Sequence, residues 1–166
     1  VRTLFPFPET VDHHAARLVA AGVVTMVVLT LATRQFWLLV PLCYGFVARV
    51  ASGPRFSPLA LVVTRVIVPR AGWAPQPTPG PPKRFAQAMG VVFSGAAGVL
   101  VLAGQPTAAM VVLALLLAAA LAESVLGYCL GCAVFARLMQ LGVIPDTVCE
   151  ACADISRSVA RPVRAD

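Results

Sequence analysis

The chain has 166 residues, of which 59% are hydrophobic and 12% charged. A soluble domain carries roughly 45–50% apolar and about 25% charged residues, so this composition excludes an ordinary water-soluble fold and points to lipid as the solvent. The net charge of +6 suits an anionic partner. Because the cations flank apolar runs and do not form a stripe on a polar face, that partner reads as the lipid headgroup and not as nucleic acid.

The first fourteen residues, VRTLFPFPETVDHH, are mixed and carry acids, with no small-residue cleavage site after a short apolar run. No cleavable signal is expected there, and residues 1–14 read as an N-terminal segment ahead of a retained span. His13 and His14 point to different faces of any helix and read as an interfacial polar cluster, not a metal site.

Apolar segments run from Ala15 to Ala32 and from Phe36 to Ala51, parted only by Thr33, Arg34 and Gln35. A span needs about 20 apolar residues, within a range of about 17–25, so residues 15–51 predict a transmembrane hairpin. Trp37 stands at the edge of the second segment, where aromatic belt residues belong. Cys43 falls mid-span and reads as packing.

Residues 52–84 read as a loop. In SPLALVVTRVIVP, Ser57 is placed as a helix N-cap with Pro58 at the first helical position. The apolar run that follows is too short to span and predicts an interfacial helix, anchored by Arg55, Arg65 and Arg70. The Pro-rich stretch APQPTPGPP predicts a stiff extended linker that cannot be helical.

A second hairpin is predicted over residues 85–128, from Phe85 to Ala103 and from Thr107 to at least Leu126, turning at Gly104, Gln105 and Pro106. Gly90, Ser94 and Gly98 recur every four residues, a spacing that lets helix backbones approach closely. That stripe reads as packing inside the bundle, with a dimer face, and hence a homo-oligomer, as the other use. The predicted fold is therefore all-α, a four-transmembrane-helix bundle of two hairpins.

With four spans, every Lys and Arg of the 13 except Arg34 collects on one side. The positive-inside rule makes that side cytoplasmic and puts both termini there.

Residues 129–166 form a cysteine-pair region and tail. Cys129, Cys132, Cys149 and Cys152 are spaced C-x2-C-x16-C-x2-C. Two intervening residues bring sulfurs within reach of one metal ion or of each other, and a second pair after about 15–20 residues fits a four-sulfur zinc site. Such pairs also perform thiol–disulfide exchange. In a reducing compartment a standing disulfide is the least expected use. Three readings stay open: redox thiols at all four positions, one pair exchanging electrons or sulfur with the other and then with a soluble partner, with Cys129 or Cys149 attacking and its neighbour resolving; four thiolates holding zinc or iron in a structural site; or a scaffold that docks a partner through the Pro-rich loop.

The local geometry is also open. One helix could run unbroken to Gln140, or Gly127 could break it so that Cys129 opens a new helix, whose N-terminus favours a thiolate. Glu123, an acid in an apolar run, is a functional candidate by default. On an unbroken helix it points away from Cys132, so it reads as half of an ion pair holding the bundle.

The strings FPETVDHHAAR, GPRFSPLALVVTRVIVP, GPPKRFAQAMG, LGYCLGC and CEAC together resemble the bacterial integral-membrane family known as domain of unknown function 4395. The resemblance implies a four-span protein of the bacterial plasma membrane. Through relatives found alongside thioredoxin-like proteins and sulfurtransferases, it also implies a soluble partner of that kind. The family's cysteine motif maps onto Cys129, Cys132, Cys149 and Cys152 without assigning them a role.

Overall fold

The computed structural model describes residues 10–145, 148 and 149. Strand β1 (Thr10–Asp12) leads into α1 (His13–Thr33), whose N-cap is Asp12; its carboxylate accepts the His14 amide at 2.7 Å and the Ala15 amide at 3.4 Å. Arg34, in the left-handed region at φ 55°, ends α1, and one 3-10 turn (Phe36–Leu38) begins the next stretch, α2 (Leu39–Ser52). Gly53, at φ 66°, ends α2.

Ser57 is the N-cap expected of it: extended, with its hydroxyl accepting from the Ala60 amide, ahead of α3 (Pro58–Val62). A π-turn (Val63–Ile67) and α4 (Val68–Ala71) continue it to the left-handed Gly72. Strand β2 (Pro77–Pro79) pairs antiparallel with β1, setting Val11 opposite Thr78. Then come α5 (Gly80–Leu102), α6 (Pro106–Leu126) and α7 (Leu130–Gln140).

Two expectations about the Pro-rich stretch are corrected. It is not a free spacer, because Pro77–Pro79 are held in the β1–β2 ribbon, where the Thr78 hydroxyl donates to the Val11 carbonyl at 2.7 Å. Nor is all of it non-helical. Gly80, Pro81 and Pro82 form the first turn of α5, where amide donors have no intrahelical partner to lose and proline is tolerated.

Among the described residues, four helical stretches are long and apolar enough to cross a membrane: His13–Thr33, Phe36–Ala71, Gly80–Leu102 and Pro106–Leu126. Helix α1 packs chiefly on α6, α6 on α5, and α5 on α2. The core between them is Val23, Val27, Leu39, Leu42, Phe46, Ala97, Leu113 and Leu116. Outward faces are equally apolar: Val40, Val92, Val99, Leu115 and Val125 are all exposed. In water such faces would drive association; in a bilayer they meet lipid tails. These features support a multi-pass membrane protein.

Of the small-residue stripe, Gly90 and Ser94 are buried. A Cβ on Gly90 would stand 2.2 Å from Cε1 of Phe46, so Gly90 serves packing between α5 and α2 inside the bundle. Gly98 has open space around its Cα and takes no part in that contact.

Candidate functional site

Gly127 terminates α6 at φ 69°, in the left-handed region that L side chains rarely adopt. Its amide still reaches the Glu123 carbonyl, and the Tyr128 amide reaches Ala122. The chain then turns, and Cys129 becomes the N-cap of α7. Of the two geometries open to the sequence, this is the broken helix.

The break brings α7 back against α5. Gly131 makes that possible, since a Cβ there would lie 2.6 Å from the Cα of Ala86 on α5. Farther along, the buried Phe135 packs its ring on Phe85 at 5.7 Å between centroids. Together these two contacts fix where the first cysteine pair sits.

Cys129 and Cys132 are both free thiols and lie one turn apart. The Cys129 sulfur accepts twice, from the Cys132 amide at 3.3 Å and from the Cys132 thiol at 2.7 Å. Hydrogen bonds to a sulfur favour its charged form. The Cys132 thiol, and to a smaller extent Lys83, therefore hold Cys129 below the usual thiol range, against burial and the negative charge of Glu123. For Cys132 the direction is reversed: donating to Cys129, together with burial, pushes its thiol up. The pair is thus differentiated: Cys129 gives up its proton more readily than an ordinary thiol, and Cys132 less readily.

Lys83 enters from α5 and Glu123 from α6, and their side chains form a buried ion pair. Glu123 therefore is the half of an ion pair that the sequence suggested. The argument that it points away from the cysteines does not apply, because it assumed an unbroken helix. A cavity of about 80 Å³ is lined by both Glu123 and Cys129. A second, of about 380 Å³, is lined by Lys83, Cys132, His13 and Tyr128. Cys129 lines both.

Lys83 escaped the sequence reading. In GPPKRF it looked like one more headgroup anchor at the edge of an apolar run, whereas it is 7% exposed and points inward. The signal available was its place next to an apolar segment that has one acid in a neighbouring span. Arg49, one of the cations that the positive-inside count puts on the cytoplasmic side, is likewise buried, donating to Gln87 at 2.7 Å and Ser57 at 3.1 Å and stacking on Phe46. The guanidinium of Arg17 closes the end of α6 by donating to the carbonyls of Ser124 and Val125. His13 comes within 3.4 Å of the Gly127 carbonyl, and the ring of His14 lies near that of Trp73.

Cys149 is buried and disulfide-bonded, the use of a cysteine here that the sequence least favoured. Cys152 lies outside the described residues. Among the described residues, no group of three or more His, Cys, Asp and Glu side chains is arranged to hold a metal ion. The proposed four-sulfur site would need Cys152 as well. Cys43 is half-buried on α2.

No curated protein and no solved structure matches the chain. A family model described as Domain of unknown function (DUF4395) matches residues 11–140, a stretch that includes both helices of the ion pair and the whole Cys129–Cys132 turn. The chain belongs to this family.

Proposed function

We propose that this protein is a membrane-embedded thiol–disulfide module, a four-span bundle of two hairpins with both termini and the Cys129–Cys132 pair at the cytoplasmic face. The segment from Pro58 to Ala71 lies along that interface, and a soluble thioredoxin-like protein or sulfurtransferase is its partner. The observation that carries the reading is the placement of the pair, with Cys129 capping α7, its sulfur accepting the Cys132 amide at 3.3 Å and lying 2.7 Å from the Cys132 sulfur.

Such an arrangement suits a two-step exchange. The Cys129 thiolate attacks a partner's disulfide, forming a mixed disulfide and expelling one partner thiolate, which takes a proton from water. The Cys132 thiol then gives up its proton and attacks the Cys129 sulfur. A Cys129–Cys132 disulfide forms and the second partner thiolate leaves. The partner is reduced by two electrons and the dithiol is oxidised by two; a second thiol partner reverses the balance. The sulfurs start 2.7 Å apart, so closing the bond, at about 2.05 Å, needs little movement.

Substituting Cys132→Ser tests this. With Cys43, Cys149 and Cys152 also replaced by Ser, the purified protein is offered bis(2-hydroxyethyl) disulfide. The reading requires a stable adduct on Cys129 by mass spectrometry, and turnover without a trapped adduct when Cys132 is restored. An unreactive Cys129, or a metal ion retained in stoichiometric amount by the intact protein and lost on Cys129→Ser, overturns it in favour of the thiolate metal site.

A further inference from the structure

We propose that Lys83 and Glu123 are opposed positioning residues of the dithiol: Lys83 holds the Cys129 sulfur in its reactive anionic form, and Glu123 limits how far it does so. This rests on the thiol reading above and adds to it the groups that set the reactivity of the attacking sulfur.

The geometry is that of one buried ion pair divided between two cavities that share Cys129. Lys83 lines one cavity together with Cys129 and Cys132, and Glu123 lines the other together with Cys129. Both partners are largely withdrawn from water, with side chains 9% and 14% exposed. Screening is weak there, so their charges act strongly on a neighbouring sulfur. Among the described residues, a few other charged or titratable groups line this region. Helix α1 supplies His13 and Arg17, the latter engaged by the α6 carbonyls, and the turn supplies Tyr128. Arg84, the neighbour of Lys83, donates away from the site to the Val50 carbonyl.

Two anions then compete for one ammonium. When Cys129 is a thiolate, Lys83 serves it and Glu123 together. When Cys129 is bonded to a partner sulfur, the ammonium belongs to Glu123 alone. The carboxylate thereby makes the thiolate less stable than Lys83 alone would. Exchange runs best when the attacking thiol titrates near ambient pH, because a sulfur too strongly stabilised as an anion is a poor nucleophile. The pair thus keeps Cys129 reactive in both directions of exchange.

An ion pair that only held helices together would respond alike to loss of either member. Opposed positioning residues respond with opposite signs. In the background keeping only Cys129 and Cys132, freed of metal with chelator, the rate of iodoacetamide alkylation at Cys129 is measured from pH 5 to 10, with folding checked by circular dichroism. Glu123→Gln is expected to move the midpoint down and raise the rate at pH 6 on the order of tenfold, one unit of midpoint being tenfold in thiolate. Lys83→Met moves the midpoint up and lowers the rate at pH 7 by a similar factor. Lys83→Arg, which keeps the charge and guards against a variant that fails to fold, stays within about threefold of the parent. The double variant returns towards the parent. Midpoints that shift the same way in Glu123→Gln and Lys83→Met, or do not shift, overturn the proposal. Failure of the parent to exchange with bis(2-hydroxyethyl) disulfide, with these midpoints still opposed, overturns the thiol–disulfide function alone.

Discussion

Replacing Gly131 by Ala should separate α7 from α5 and with it the dithiol from Lys83. An added Cβ would stand 2.5 Å from the Ala86 Cβ and 2.6 Å from its Cα, where carbon atoms rest at about 3.5–4.0 Å. The nearer contacts are the Cα and Cβ of Ala86, with no flexible side-chain end to swing aside. So α7 must withdraw by about 1 Å to restore that separation. Overpacking of this kind costs about 1–3 kcal/mol. Alanine offsets about 1 kcal/mol of that as the better helix former, leaving a net loss of about 0–2 kcal/mol from the two terms. Gly95→Ala and Gly98→Ala are the controls: neither Cβ meets anything within 4 Å, so both should be neutral or stabilising by about 0.5–1 kcal/mol. Denaturant titration in detergent reads the stability, and the alkylation rate of Cys129 reads the site. The expected result is a Gly131→Ala protein that is less stable and slower at Cys129. A variant matching the parent in both would refute the close approach of α7 and α5 on which the site depends.

Gly127→Ala should cost about 1–2 kcal/mol by the same denaturation assay, because a side chain is forced into the left-handed region and its Cβ meets His13 Cε1 at 3.1 Å. Arg49→Met should cost about 1–3 kcal/mol by removing the donor to the buried Ser57 hydroxyl and the half-buried Gln87 carbonyl, and Arg49→Lys should not restore it, since an ammonium lacks the planar fork. The alkylation rate of Cys129 should have its midpoint below that of an ordinary thiol: the thiolate survives to lower pH and is lost only as pH falls through the depressed midpoint. Removing the donor by Cys132→Ala should move that midpoint up. A phosphatase reporter, active only outside the cytoplasm, should be silent when fused after Asp166, and activity there would reverse the proposed orientation.

The helical class and the four long apolar stretches were legible because hydropathy and the caps act locally. Ser57 and Pro58 mark a helix start whatever surrounds them, and the apolar runs are set by the solvent they need. The pairing of Cys129 with Cys132 was legible for the same reason, being one turn of helix. The break at Gly127 was only one of two options, since a glycine is compatible with both helix and left-handed cap. The rest of the site depends on partners distant in sequence. Lys83 meets Glu123 only because α5 packs on α6, and it approaches the cysteines only because Gly131 admits Ala86. The role of Pro77–Pro79 was hidden likewise, because its strand partner is Thr10–Asp12 at the other end of α1. Charges flanking apolar runs were read as facing lipid headgroups, and for Lys83 and Arg49 burial in the bundle replaced that role.

The most direct measurement is a redox titration of the protein reduced to Cys129 and Cys132 alone, equilibrated in detergent with mixtures of oxidised and reduced dithiothreitol and counted for free thiols. The account predicts that two thiols disappear together in one two-electron step, form a disulfide between residues 129 and 132, and return on reduction. Thiols that stay free at every poise, or that react singly with no bond between them, would contradict it.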